Sequence, residues 1–359
     1  MRPTAAGSGG TCCTTGGRRK NRPDGCGVIC IRGPYCVYNK HFVTVLPFSF
    51  LRTTMPPVQV IVNPFANRGD SRHQIDLALQ ALARSGLEFD IHLTEYRGHA
   101  VELAETATRQ GATMIVAAGG DGTVHEVVNG IMHATEGQEG PAPTTLGILP
   151  VGSGNDFSAG LGLNQSMDEV IYRLRRGFTR LIDVGYAVPD AGPPLYFINM
   201  LGGGFDARVN IEAHKIKRLR GFSIYFVAVL KTILIYYHTP LTTLRYNGEA
   251  YEIPMLMTLV ANGPRLGGGF LAAPLCSHDD GLFDLCIVHK TSRLDMLRMI
   301  PKFMKGQHLN HPKVTMARAA SIEIESAEGF PSQADGEQIG IKVKKLTISI
   351  LPRRLRVVV

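Results

Sequence analysis

Two carboxylates flank a glycine in Gln333-Ala334-Asp335-Gly336-Glu337. One of them could take a proton from an attacking hydroxyl; a plain Asp-Gly hairpin turn is the other reading of the same residues. A second stretch, Val116-Ala117-Ala118-Gly119-Gly120-Asp121-Gly122-Thr123-Val124-His125-Glu126, carries an apolar run into glycines, an aspartate and a threonine, then turns helix-like. Glycines let a backbone approach a phosphate closely, and a helix that starts there aims its N–H groups at the anion. Asp121 could reach a magnesium ion or a ribose hydroxyl. A third stretch, Gly152-Ser153-Gly154-Asn155-Asp156, again puts small residues, a hydroxyl and an Asn-Asp pair after an apolar run. Ser153 could bond a phosphate or the adenosine, or the pair could simply cap a helix. A fourth joins Asn262-Gly263 and Gly267-Gly268-Gly269 to Asp279-Asp280-Gly281 and Asp284. Acids this close could hold a hard cation through oxygen, or form an ordinary acidic turn. The GxGxxG spacing of dinucleotide oxidoreductases and the Walker A loop are both absent.

The elements that must position these residues alternate over 58–149. A strand is expected at Val58–Val62, a helix at 70–84, a strand at 89–94, a helix at 101–110, strands at 114–118 and 146–149, and a helix at 124–132 between those last two. This alternation predicts parallel βαβ units in a three-layer sheet. Ligands of such sheets sit at the carboxyl ends of the strands. Asn63, Thr94, the glycine loop 119–123 and the loop 152–156 all fall there. Beyond about residue 183, short apolar segments alternate with turns at 196–200, 242–246, 251–253, 255–261, 283–288, 321–325 and 346–351, which predicts a mostly antiparallel β domain. One helix, near 219–237, interrupts it. That helix reads as a core helix, or as the wall of a lipid cleft or an interfacial helix. Its longest charge-free run is far short of the roughly 20 residues that span a bilayer.

Charge and cysteine set the first residues apart. The chain has 359 residues and a formal charge of +8, of which residues 1–54 carry +7, with eight basic side chains and the single acid Asp24. The remainder holds 30 basic and 29 acidic side chains, so a charge argument for nucleic acid fails. Five of the seven cysteines also lie in that segment, without paired CxxC spacing. Residues 1–55 are expected to be a disordered extension upstream of a natural start at Met55. Two cysteines in the body and no export signal point to the cytoplasm.

Taken together and in order, Asn63-Pro64, Gly119–Thr123, Pro150 with Gly152–Asp156, Gly204-Phe205-Asp206-Ala207, Asn262-Gly263 with Gly267–Gly269, Asp280-Gly281 with Asp284, and Asp335-Gly336-Glu337 resemble the diacylglycerol kinase catalytic-domain family, most closely its soluble bacterial lipid kinases. The resemblance implies an α/β nucleotide-binding domain at 56–183, a β-rich, sandwich-like lipid domain at 184–345, and a last strand at 346–359 returning toward the first. It implies an ATP site lined by Asn63, Thr94, Gly119, Gly120, Asp121, Gly122, Thr123, Val124, His125 and Ser153, with Asn155 and Asp156 beside it. Asp121 would sit near the phosphates and a catalytic Mg2+. Asp280, the Leu282 carbonyl and Ser277 would match a structural magnesium site. Glu337, supported by Asp335, would accept the proton of the lipid hydroxyl. Three positions depart from the family pattern: Ser153 replaces a usual threonine, the loop 63–69 lacks a second glycine, and Gln338 replaces a frequent proline.

The expected activity is transfer of the γ-phosphoryl of ATP to diacylglycerol or a related lipid. NAD kinases share the GGDGT element, but their Gly-Ser-Thr-Ala-Tyr segment is absent; a non-catalytic nucleotide- or lipid-binding protein is disfavoured by the intact acids. A lipid substrate implies transient, peripheral contact with a membrane surface, and an exposed β edge could pair with a second copy in a homodimer.

Overall fold

The computed structural model describes residues 58–66, 72–163, 166–216, 219 and 222–359, together with two short upstream strands, β1 (Val28–Cys30) and β2 (Cys36–Tyr38). The chain divides into compact units at 1–52 and 53–359. In the first, β1 and β2 pair antiparallel, with Cys30 opposite Cys36. The rest of the expected disordered extension lies outside the described residues.

The second unit starts with β3 (Val58–Val62), α1 (Arg72–Arg84), β4 (Phe89–Leu93), α2 (His99–Arg109), β5 (Met114–Gly119), α3 (Asp121–Ala134), β6 (Thr145–Pro150), α4 (Asp156–Gly160) and α5 (Met167–Arg176). The strands β4, β3, β5 and β6 lie side by side and run parallel. Both faces of this sheet are covered, which is why its strands are apolar without alternation. Val58, Val60, Val62, Val116 and Ala118 point to α1 and α5, where they meet Ile75, Leu82, Val170 and Leu174. Ile61, Ile115 and Ala117 point the other way, onto Ala100 and Ala104 of α2 and Val127 and Ile131 of α3.

Next come β7 (Thr179–Pro189), β8 (Leu195–Phe197), β9 (Met200–Gly204), α6 (Phe205–Lys215), α7 (Phe222–Ile235), β10 (Leu241–Tyr246), β11 (Glu249–Ala261), β12 (Arg265–Leu266), β13 (Phe270–Leu271), β14 (Phe283–His289), α8 (Arg293–Met304), β15 (Val314–Ala319), β16 (Ser321–Ala334) and β17 (Glu337–Val358). The fold is therefore an α/β layer followed by a β-rich, sandwich-like layer. The long β17 joins them. It pairs antiparallel with β16 and β7, then parallel with β6 through Arg356 and Val357, so that a single 13-stranded sheet runs through both parts. β7 itself continues unbroken across residues 183 and 184.

Among the described residues, three helices, not one, interrupt the β-rich part. α6 offers no apolar stripe, because Asp206, Asn210 and Glu212 are among its buried residues. α8 contains Pro301, which obscures its periodicity, yet its start was signalled by Ser292, whose side chain accepts from the Asp295 backbone N–H. All three helices pack on one face of β11 and β14, with Leu256, Leu259 and Val288 against Val209, Ile233, Met299 and Phe303. The other face of those strands builds the sandwich core, around Val260, Phe283, Leu285 and Phe330.

Candidate active site

The carboxyl ends of β3, β4, β5 and β6 carry the loops expected from sequence, and these loops touch. Asn63 donates from Nδ2 to Thr123 Oγ1 at 3.1 Å, and the Thr94 N–H donates to the Val62 carbonyl at 2.9 Å. The glycines of the β5 and β6 loops meet backbone to backbone. A Cβ on Gly152 would stand 2.3 Å from the Gly120 Cα, so a side chain there would part the two loops. Asn155 holds the second loop shut: its Oδ1 accepts from the Gly152 N–H at 3.2 Å, its Nδ2 donates to the Gly152 carbonyl at 2.9 Å, and its own φ is 54°. Ser153 is exposed at the tip. Gly119, Gly120, Asp121 and Gly122 run into the start of α3, where no side chain of the helix itself caps the N-terminus. Thr123, Val124 and His125 are buried in its first turns. Asn67, Arg68 and Gly69 of the first loop lie outside the described residues.

Two acids face each other beneath these loops. Asp121 Oδ1 accepts from the Phe157 N–H at 3.2 Å, and Asp156 Oδ2 accepts from the Gly268 N–H at 2.8 Å. Burial raises the Asp121 carboxyl above the usual range, against the pull of backbone N–H groups, and the charge of Asp335 adds to the rise. Burial, with the neighbouring charge of Asp121, pushes Asp156 up to about 6. Two buried carboxylates that repel each other offer hard oxygen donors, which suit Mg2+, commonly held by one or two carboxylates and substrate phosphates. Among the described residues, no group of three or more His, Cys, Asp and Glu side chains forms a complete metal cage.

The acidic turn is a two-residue hairpin loop. Ala334 pairs with Glu337, and Asp335 and Gly336 take φ of 50° and 89°, the left-handed pair that Asp-Gly supplies. The hairpin reading of this segment is therefore the one its backbone shows. The Asp335 carboxylate accepts backbone N–H groups of Ile198 at 2.9 Å, Asn199 at 3.0 Å and Met200 at 2.9 Å, with His125 Nδ1 at 3.2 Å. It ties the turn to the β8–β9 link and to α3. Glu337 instead points into the crevice. Its Oε1 lies over the α3 N-terminus, 3.2 Å from where a Gly122 Cβ would be, and its other oxygen meets the Arg97 guanidinium.

Around the turn and the loops, Asp206, Gln333 and Glu126 stood in the quoted segments without a role, and Asn129 and Asn210 were not named from sequence. Gln333 donates to Asp206 Oδ2 at 2.7 Å and accepts the Gly336 N–H at 2.7 Å, and Asn210 donates to the Gly336 carbonyl at 2.9 Å. Asp206 is buried and pushed up to about 6 by that burial, against the Gln333 hydrogen bond. Glu126 accepts the Gly98 and Ala100 N–H groups at 2.9 and 3.2 Å, capping α2 and fixing the loop that carries Thr94 and Arg97. Asn129 donates to the Tyr196 carbonyl and accepts the Tyr196 N–H, both at 2.9 Å. The available signal was the GFDA segment, and the i, i+4 relation of Asp206 with Asn210 that places both on one face of α6.

Ser277, Asp280 and Leu282 do not come together as a donor set. Asp280 Oδ1 accepts the Leu282 N–H at 3.1 Å and its other oxygen meets the Arg318 guanidinium, while the Ser277 hydroxyl donates to Asp279 at 2.7 Å. Arg318 supplies the positive charge there, so a metal does not fit these side chains as they stand.

The crevice opens inward. Asp121, Asp156 and Asp335, together with Asp206, Asn210 and Gln333, line one side of a cavity of about 160 Å³. Past this polar collar the walls are apolar: Val209 of α6, Tyr225, Val229 and Ile233 of α7, and Met299 and Phe303 of α8.

Residues 57–187 match the diacylglycerol kinase catalytic domain, and residues 199–359 match the YegS C-terminal NAD kinase beta sandwich-like domain. The chain is 29% identical over 293 residues to a diacylglycerol kinase of Bacillus subtilis (strain 168), covering 80% of this chain and 91% of that one. It is 34% identical over 263 residues to a YegS-like lipid kinase, named as probable, of Chromohalobacter salexigens, covering 72% of this chain and 81% of that protein. A solved structure of a diacylglycerol kinase from Bacillus anthracis str. Sterne superposes with a TM-score of 0.63 at 25% identity, covering 86% of this chain and 98% of that one.

Proposed function

The chain belongs to the diacylglycerol kinase catalytic-domain family, and from that premise we propose that it is an ATP-dependent lipid kinase, with diacylglycerol as the reference acceptor. The observation that carries the lipid reading is continuity: the acids beneath the glycine loops open directly into an apolar cavity. A hydrophilic acceptor such as NAD gains nothing from walls of Val209, Val229, Ile233 and Phe303, whereas a hydrocarbon chain does. A sealed apolar cavity of about 150 Å³ takes a benzene-sized guest, so this one suits the first methylenes of a chain rather than its full length.

In this reading the loops at Asn63, Thr94, Gly119–Thr123 and Gly152–Asp156 hold ATP, with the triphosphate across the uncapped start of α3. Asp121 and Asp156 would hold Mg2+, which neutralises phosphate charge when bound. The lipid hydroxyl lies at the cavity mouth beside Glu337. Its proton passes to Glu337 as its oxygen bonds to the γ-phosphorus; the bond from that phosphorus to the bridging oxygen breaks, and ADP leaves. Arg97 meets the Glu337 carboxylate, so in this reading the pair parts when Glu337 takes the proton. Asp335 stays fixed by its backbone donors and keeps the turn in place. Positioning and charge neutralisation supply most of the rate in such transfers.

The test is transfer of label from γ-labelled ATP to diacylglycerol, monoacylglycerol, a sphingoid base or NAD, the lipids being offered in mixed micelles. Label on a lipid supports the reading; label on NAD alone overturns it.

A further inference from the structure

Glu337 has a cation beside it, and the pair stands close to the start of α3. Arg97 Nη2 meets Glu337 Oε2, while Glu337 Oε1 lies 3.2 Å from where a Gly122 Cβ would be. Gly122 is in the first turn of α3, whose N-terminus no side chain of the helix itself caps. The guanidinium is thus one carboxylate's width from backbone N–H groups that suit a phosphate. Nη2 is used by Glu337, and Nε and Nη1 carry further N–H donors. With the arginine side chain 73% exposed, this ion pair contributes little to folding.

The loop that carries Arg97, between β4 and α2, is braced on both sides of it. Gly98 takes a φ of 89°, and its N–H and that of Ala100 donate to Glu126 of α3. The Glu95 N–H donates to His99 Nδ1 at 3.1 Å, the Tyr96 ring stacks on His99 with centroids 4.6 Å apart, and the Tyr96 hydroxyl donates to Glu102 at 2.8 Å. Arg97 instead reaches across the crevice, to a residue 240 positions later. A fixed backbone under an exposed cation suits a charge that meets a ligand at a set place. The crevice is rich in acid: Asp121, Asp156 and Asp335 line it, and Glu337 lies over it. Backbone donors answer Asp335, and the charge of Arg265 pulls Asp156 down. A nucleoside triphosphate would bring more negative charge, much of it on the terminal group, and a guanidinium binds such oxygens with paired N–H donors.

We propose that Arg97 is a catalytic residue, which bridges Glu337 to the terminal phosphate of the nucleotide and stays on the phosphoryl group as it moves. The proposal rests on the kinase reading and gives the γ-phosphate a protein partner within it. Charge balances at each stage. Before transfer, Arg97 neutralises Glu337 and part of the γ-phosphate. The proton of the acceptor hydroxyl then passes to Glu337, the acceptor oxygen bonds to phosphorus, and the bond from phosphorus to the bridging oxygen breaks with its electron pair going to ADP. Glu337, now neutral, releases Arg97, whose whole charge falls to the phosphoryl oxygens.

Binding to the full chain is read first, by calorimetry without acceptor, for ADP and for the ATP analogue with an imido bridge between its β- and γ-phosphorus, each with Mg2+. The parent is expected to prefer the analogue. Arg97→Ala should lose about tenfold or more of that preference and bind ADP as the parent does, because ADP lacks the group that Arg97 holds. Arg97→Lys should keep part of the preference, having the charge without the fork. With diacylglycerol in mixed micelles, Arg97→Ala should lower kcat by about a hundredfold or more. A structural role would instead weaken ADP binding and lower the urea midpoint, and both are expected to stay at parental values. An Arg97→Ala variant that keeps the parental preference, or a kcat within about twofold of the parent, overturns the proposal. So does a parent that labels lipid yet binds the analogue and ADP alike. A parent that binds neither nucleotide and labels no lipid overturns the kinase reading, and this assignment with it.

Discussion

At the residue scale, the two acids of the hairpin turn divide the work through their surroundings. Asp335 has its oxygens filled by backbone donors and His125, so it anchors; Glu337 keeps a carboxylate over the crevice. Glu337→Gln should therefore bind ATP as the parent does, by calorimetry, while lipid phosphorylation falls at least a hundredfold; near-normal turnover would remove Glu337 as the base. Asp156 makes a separate prediction. Its carboxyl is raised to about 6, chiefly by burial and next by the charge of Asp121. A raised acid gives stability that is present below its unfolded value, near 4, and lost as pH rises through its folded value. The free protein should lose stability between about pH 4 and pH 6 through this group. Asp156→Asn should flatten that part of the profile and be more stable than the parent above pH 6, by about 1–3 kcal/mol in urea titrations. An unchanged profile would show that Asp156 is solvated in the free protein.

At the element scale, the α2–α3 contact sets where the nucleotide loops begin. A Cβ on Gly130 would lie 2.3 Å from the Val101 carbonyl oxygen and 2.7 Å from the Ala104 Cβ. Backbone cannot give way as a flexible side chain can, so Gly130→Ala should cost about 1–3 kcal/mol despite the better helix propensity of alanine, as read from its urea midpoint. Glu126, from α3, caps the start of α2. Glu126→Ala leaves two N–H groups without their acceptor and should cost about 1–2 kcal/mol. Because the same loop carries Thr94 and Arg97, KM for ATP should also rise several-fold, whereas a simple loss of stability would leave it unchanged.

At the scale of the whole molecule, β17 makes the two parts of residues 53–359 one folding unit. Its last residues put Leu355 and Val357 into the core of the α/β layer, and Arg354 Nη2 donates to the Thr135 carbonyl at 2.6 Å. Ending the chain at Leu351 removes the partner of one edge of β6, and the protein should lose its cooperative urea transition rather than shift it; a truncated chain with a parental midpoint would show that the two parts fold independently. Much of this architecture was legible in the order of residues. The periodicities of β3, α2, β5 and α3 are local, and so are the glycines and acids that end them. The α/β layer, its crevice at the strand ends and the turn at Asp335-Gly336-Glu337 follow from spacing and from the conformations that glycine allows. Helices α6 and α8 were not legible, because α6 buries polar side chains and α8 breaks its pattern at Pro301. Which acid is pinned and which faces the crevice depends on partners more than a hundred residues away, such as Ile198 for Asp335 and Arg97 for Glu337. The same holds for Asp280, which meets Arg318 across the sheet. Sequence by itself determined the elements and the chemical groups they carry, since these depend on backbone conformation and short-range pattern. Only the tertiary structure decided which groups meet and which charges are already neutralised, since these depend on the packing of distant segments.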